Sequence, residues 1–348
     1  MLRELQDFLA RTIEEFSSEA EFIDVRAEFL ASFSTSVENG VLKGLNKVNS
    51  RVIGIRALVK GCWGIGSTDD FSPESIKKAF REAIASAKAL ASRAGGEVKL
   101  SEEKVYSDSK EVSVKISPDD VDVEEKIKLV LEFDKIIRNT DSRIVNCRTT
   151  YSDSSREILY LNSEGASIYQ KLPSVFLYAL AVAREAEKTQ ASYEVIGGQY
   201  GYEKIRELDI NELGLKLGKE AVELLSAETI KGGTMTVVMD GRVSGTFAHE
   251  VFGHAAEADN ILNAKSFLSG LVGKKIGSDE VTIVDDATVP GAYGSYFYDD
   301  EGVPAQRKVL LEKGVLKTYI HSRETAGIMG VKSTGNGRAQ DPRHRVYV

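Results

Sequence analysis

Lys231-Gly232-Gly233-Thr234-Met235-Thr236-Val237-Val238-Met239 divides this chain in two. The paired glycines signal a turn. The apolar residues after them read as a short buried strand. That strand is expected to lead into a helix carrying His249-Glu250-Val251-Phe252-Gly253-His254. On this reading residues 1–230 form an N-terminal domain, and residues 231–348 begin a β-rich second one. A chain of 348 residues can build two cores.

Working back from the turn, residues 203–227 read as helical. Strands are predicted at Ile144–Tyr151, Glu157–Leu161, Ser167–Leu172 and Val175–Arg184. Ser117-Pro118 starts a helix that runs to Asn139, and a polar stretch over 97–116 precedes it. A further helix begins at Ser72 as N-cap with Pro73 in its first position, and Gly95-Gly96 closes it. Alanines at 79, 83, 85, 87, 89 and 91 give this helix a surface suited to close packing. Val52–Trp63 reads as a strand with glycines toward its end. Asn39-Gly40, following the apolar run Phe22–Phe33, signals a hairpin. Leu2, Leu5, Phe8, Leu9, Ile13 and Phe16 recur at helical spacing over residues 2–17. Beyond the motif, Pro290-Gly291 and Glu312-Lys313-Gly314 punctuate a β-rich segment. Helices and strands in this order specify α+β architecture, not a regular βαβ alternation.

Composition narrows the function. With 45 basic and 53 acidic side chains the formal charge is −8, so the surface has no general attraction for DNA or RNA. No apolar run approaches the ~18 residues of a membrane span. Residues 1–7 lack the apolar stretch of a signal peptide. The two cysteines, Cys62 and Cys147, lie in strand-like apolar surroundings and suit a reducing compartment. A cytoplasmic location is expected.

The chain has four histidines, and two of them flank a glutamate in His249-Glu250-Val251-Phe252-Gly253-His254. Neutral imidazoles bind zinc, and a carboxylate beside them can take a proton from water. Histidines four apart on a helix face one way. A spacing of five leaves them about 140° apart on an ideal helix. Convergence therefore requires either a turn widened by one residue over Val251–His254, with Gly253 as the yielding point, or His254 beyond the helix end. The alternative is two ordinary helix histidines and a solvated glutamate.

The wider run His249–His254-Ala255-Ala256-Glu257-Ala258-Asp259 resembles the His-Glu-x-x-x-His…Glu-x-Asp signature of the TldD/PmbA family. Val281–Asp286, Asp299-Asp300-Glu301-Gly302-Val303-Pro304 and Ser333-Thr334-Gly335-Asn336-Gly337-Arg338 resemble it too. The His-Glu motif is similar to the TldD branch, not the PmbA (TldE) branch. The resemblance implies a zinc metallopeptidase that cuts small or unfolded peptides, pairing as a homodimer or with a PmbA/TldE-like subunit. It implies His249 and His254 as metal ligands and Glu250 as general base. It also implies a cysteine ligand farther downstream, whose position neither Cys62 nor Cys147 matches. The C-terminal domain is accordingly expected to be truncated, with sheet edges left open. The competing reading is a non-catalytic scaffold or pairing subunit, inactive for want of that third ligand.

Other residues carry weaker expectations. Glu257 is a candidate third ligand, and Asp259 a candidate partner for an imidazole. Asp299-Asp300-Glu301 reads as a solvated acidic turn, or else as a cation site or a loop-fixing cluster. Gly335-Asn336-Gly337-Arg338 lacks the lysine of a phosphate loop. Its Arg338 is a surface arginine or a clamp for a substrate carboxylate. His321 is expected to be structural, and both cysteines are expected in the core.

Overall fold

A computed structural model describes residues 2–348. The N-terminal helix α1 (Leu2–Phe16) buries Leu2, Leu9, Ile13 and Phe16, the stripe its periodicity predicts. Strands β1 (Phe22–Glu38) and β2 (Val41–Val59) follow as a long antiparallel hairpin. Asn39 and Gly40 close it with φ of 52° and 78°, as a two-residue hairpin turn requires. The strand expected over 52–63 breaks at Lys60-Gly61, both at positive φ. The chain turns back there as β3 (Cys62–Thr68), antiparallel to β2.

Helix α2 (Pro73–Ala94) begins where Ser72 accepts a hydrogen bond from Ser75 N–H. Its alanines lie on β3. A methyl on Gly64 would stand 2.0 Å from Ala83 O, and one on Gly66 2.1 Å from Ala79 O. The polar stretch 97–116 holds a strand that the pattern does not foresee, β4 (Ser107–Glu111), an edge strand with most side chains in solvent. Pro118–Asp120 is a single 3₁₀ turn, so α3 starts later than expected, at Val123, and runs to Arg138.

The four strands expected over 144–184 are two long ones, β5 (Ile144–Asn162) and β6 (Ser167–Glu185). Strand β7 (Lys188–Gly198), also unforeseen, pairs with β6. Pro173 lies between the part of β6 that pairs β4 and the part that pairs β7. A proline without N–H is tolerated in such a gap. The sheet order is β3-β2-β1-β5-β6-β4, with β7 also on β6. Helices α4 (Glu203–Arg206) and α5 (Ile210–Glu223) complete this part.

Alternation along β1 explains how the sheet is used. Ile23, Val25, Ala27, Phe33 and Val37 point to one face and pack under α1, α2, α3 and α5. Asp24, Arg26 and Glu28, one residue out of phase, are equally buried on the other face. That face is covered by the C-terminal stretch: Arg26 donates to the carbonyls of Pro342 (3.2 Å) and His344 (2.6 Å).

The C-terminal stretch holds α6 (Gly241–Ala248), one π-helical turn (His249–Gly253), α7 (His254–Ala256) and α8 (Ala258–Leu262). Strands β8 (Ile283–Asp286), β9 (Arg307–Glu312) and β10 (Val315–Leu316) make a three-stranded sheet, followed by α9 (Arg323–Met329). The strand expected at Met235–Met239 is absent. These residues are unpaired and exposed, Val238 at 96%. Their apolarity suits a strand, but they pair with no described strand, and an isolated strand is not stable in water. Among the described residues no helix is long and apolar enough to cross a membrane.

Candidate metal centre

Asp240 begins the helical run that bears the motif: its carboxylate accepts from Val243 N–H at 2.8 Å. The helix proceeds normally to Ala248 and then widens. His254 N–H bonds to His249 O, five residues back. This is the one-residue expansion that a His-x-x-x-x-His spacing needs, and it falls between the two histidines. Gly253 is not what permits it. Its φ of −55° is ordinary, and a methyl there would meet nothing nearer than 3.7 Å.

The widened turn brings the two imidazoles together, with ring centroids 4.5 Å apart. Donor atoms of His249, Glu250 and His254 all lie within 4.8 Å of one another, and all three side chains are open to solvent. Glu250 Oε2 stands 4.0 Å from His254 Nε2. On the other side of the ring, His254 Nδ1 lies 2.7 Å from Glu257 Oε1. The hydrogen bond and charge of Glu257 raise the His254 pKa above its usual range. Glu257 is held in turn by Asn260, whose amide reaches Oε2 at 2.8 Å and His254 O at 3.0 Å. With Nδ1–H directed to a carboxylate, the lone pair is left on Nε2, the atom facing Glu250.

The two imidazoles are donors of the kind a borderline cation such as zinc takes, with one free carboxylate beside them and an outer carboxylate that orients a ring. Glu257 is placed as that orienting group, because the oxygen nearest the cluster is taken by Nδ1. Asp259 is elsewhere engaged, its Oδ2 accepting from Val348 N–H at 2.7 Å. Neither cysteine belongs to the cluster. Cys147 is fully buried, and burial pushes its thiol pKa up. Cys62 sits on β3.

The acidic turn expected in solvent is instead buried. Asp299, Asp300 and Glu301 are 2%, 6% and 3% exposed. Each is spent on backbone or cation. Asp299 accepts from the N–H groups of Glu301, Val303 and Gly337. Asp300 accepts from Ala339 N–H, and Glu301 from Arg323 N–H and Arg56. Burial raises the pKa of both Asp299 and Glu301. The cluster fixes a loop. The sequence carries a signal for this in Gly302: at φ 75° it packs where a methyl would meet Tyr160 at 2.5 Å. His321 is buried beside Thr325 and Thr334, and burial lowers its pKa to about 4. His344 is exposed and paired with Asp341.

Comparison with known proteins identifies the family. Residues 232–348 match the PmbA/TldA metallopeptidase C-terminal domain, 116–227 the central domain and 23–87 domain 1. Metalloprotease MJ0996 of Methanocaldococcus jannaschii is 36% identical over 328 residues, covering 94% of this chain and 72% of that one. The zinc metalloprotease TldD homolog of Saccharolobus solfataricus is 30% identical, covering 93% and 70%. The crystal structure of TldE from Thermococcus kodakarensis superposes with a TM-score of 0.78 at 20% identity, covering 98% of this chain and 75% of that one. The chain belongs to the PmbA/TldD metallopeptidase family.

Proposed function

We propose that this protein is a zinc-dependent peptidase of the TldD type, acting on small or unfolded peptides in the cytoplasm. His249 and His254 would hold the metal, and Glu250 would act as general base. The observation that carries the reading is the π turn: it sets two imidazoles and a carboxylate within 4.8 Å where a regular helix would splay them. A helix widened between two histidines has no evident use in a purely structural element. When bound, zinc supplies a Lewis acid for the scissile carbonyl and makes water more acidic.

The chain's own residues divide the rest of the work. Glu250, 63% exposed at its side chain, takes a proton from the attacking water and returns it to the departing amine. Glu257 acts through His254: by accepting from Nδ1 it holds the ring with Nε2 toward Glu250. The open surroundings of the cluster suit an extended peptide bound by its backbone, a mode with little sequence preference.

Elemental analysis of the purified chain tests the ligand assignment. About one zinc per chain is expected, by analogy with one-metal hydrolase sites, and His249→Ala should lose it. Glu250→Gln should keep the metal and abolish peptide hydrolysis. A Glu250→Gln variant that hydrolyses at the normal rate would remove Glu250 from this role. The cluster offers two imidazoles, whereas catalytic zinc sites use three protein ligands. This favours a second reading, a pairing subunit that joins a TldE-like partner. Absence of zinc from the purified chain would support it.

A further inference from the structure

A cavity of about 350 Å³ is lined by Asp285, Tyr296, Ile320, Asn336 and Arg338 among others. One of its lining residues, Ile320, is tied by backbone hydrogen bonds to the helical run that carries the candidate metal centre. Ile320 N–H donates to Ala256 O at 2.9 Å, and Ile320 O accepts from Ala258 N–H at 3.0 Å. Ala256 lies two residues past His254.

The cations at this cavity face their carboxylates only loosely. Asp285 accepts from Asn336 Nδ2 at 2.9 Å and faces Lys308 at 3.7 Å. Asp286 caps Thr288 and faces Arg307 at 3.8 Å. For Arg338, Nη1 faces Asp300 Oδ1 at 3.8 Å, beyond hydrogen-bond distance, while Ala339 N–H takes the other oxygen, Oδ2.

Arg338 is nonetheless held in place. Its guanidinium lies 4.8 Å over the Tyr296 ring, and the Tyr296 hydroxyl donates to Gly335 O at 2.6 Å. Its backbone pairs both ways with Tyr347, at 2.7 and 2.8 Å. A stacked guanidinium with its donor fork unspent is preorganised for a planar anion such as a carboxylate. Beside it, Asn336 Oδ1 is buried without a hydrogen-bond partner, an acceptor left over in the free protein.

We infer that this cavity receives the C-terminal residue of a short peptide, with Arg338 clamping the free carboxylate. The inference rests on the peptidase reading for its substrate class. It gives that reading an end-specificity: peptides with a free C-terminus near the scissile bond are preferred, and C-terminal amides are poor ligands.

The test is binding, separate from turnover. Fluorescein-labelled tripeptides ending in a free acid or a primary amide are titrated onto the full chain carrying Glu250→Gln, with anisotropy as readout. The acid should bind at least about tenfold more tightly, the scale of one charge-assisted bidentate contact. Arg338→Gln should erase the difference, and Arg338→Lys should restore part of it. Equal binding of acid and amide, a preference that survives Arg338→Gln, or no binding of either peptide would each overturn the inference. Hydrolysis by the wild-type chain is then scored separately. A carboxylate preference without hydrolysis defeats the peptidase reading and leaves the subsite standing. Hydrolysis without preference defeats the subsite alone.

Discussion

Glu257 shows how one side chain can be read two ways until its geometry is known. Three residues past His254, it is within helical reach of a shared metal, so sequence makes it a candidate ligand. In the structure its Oε1 takes His254 Nδ1 at 2.7 Å and Asn260 holds its Oε2. It therefore fixes the ring in one tautomer instead of competing for the cation. Removing such a partner characteristically lowers metal affinity about 10- to 100-fold without abolishing binding. Glu257→Gln should show a loss of that size when zinc is titrated against a chelator of known affinity. Unchanged affinity would mean that the hydrogen bond does not position the ring. Loss as complete as in His249→Ala would make Glu257 a ligand.

At the scale of the element, the sequence is legible where its signals are local. Ser72-Pro73 starts α2, Asn39-Gly40 turns the first hairpin, and five-residue histidine spacing names a widened turn as one of two ways for the rings to converge. Each depends on the residues within one turn of it. The misreadings depend on neighbours distant in sequence. Met235–Met239 has strand composition but no strand beside it. Ser107–Glu111 has no apolar alternation, yet β6 offers it an edge. Asp299–Glu301 resembles a surface turn until Arg56, more than 240 residues earlier in the chain, is seen to meet it. The Ala-rich face of α2 is an intermediate case: the alanines announce close packing but not against what. The partner is glycine in β3, where backbone meets backbone. Gly66→Ala would place a methyl 2.1 Å from Ala79 O, with no flexible side chain to yield. Overpacking of this kind costs about 1–3 kcal/mol. Thermal unfolding should register a clear fall in Tm, whereas Gly95→Ala, with open space around it but φ of 65°, tests backbone strain alone. Equal Tm for Gly66→Ala and wild type would show that the α2–β3 contact is looser than described.

At the scale of the molecule, the C-terminal stretch is fastened to the sheet by buried charge. Arg56 lies at the centre. It bonds Asp24 through Nε at 3.0 Å and through its terminal nitrogen, and reaches Glu301 Oε1 at 3.2 Å; all three side chains are at most 3% exposed. It also lies 4.6 Å over the Trp63 ring. Glu301 in turn receives Arg323 N–H, whose guanidinium holds Glu164 on the β5–β6 turn. Such a network links β1, β2, the 299–303 loop and α9 in one piece. Its net worth over an apolar replacement is small, because the charges lose hydration on burial, but breaking one member leaves others buried and unpaired. The prediction is therefore asymmetric. Arg56→Met should cost about 3–5 kcal/mol, the usual penalty for stranding a buried charge, and should expose the 299–303 loop to proteolysis. The combined variant Asp24→Asn, Arg56→Met, Glu301→Gln removes the three charges together, leaving buried Arg26 with Asp300, and should lie closer to wild type in denaturant midpoint than Arg56→Met alone. If the single variant is as stable as wild type, the sheet and the C-terminal stretch are held by their apolar contacts, and the buried charges only set their register. If the triple variant is the less stable of the two, the network contributes net stability beyond desolvation.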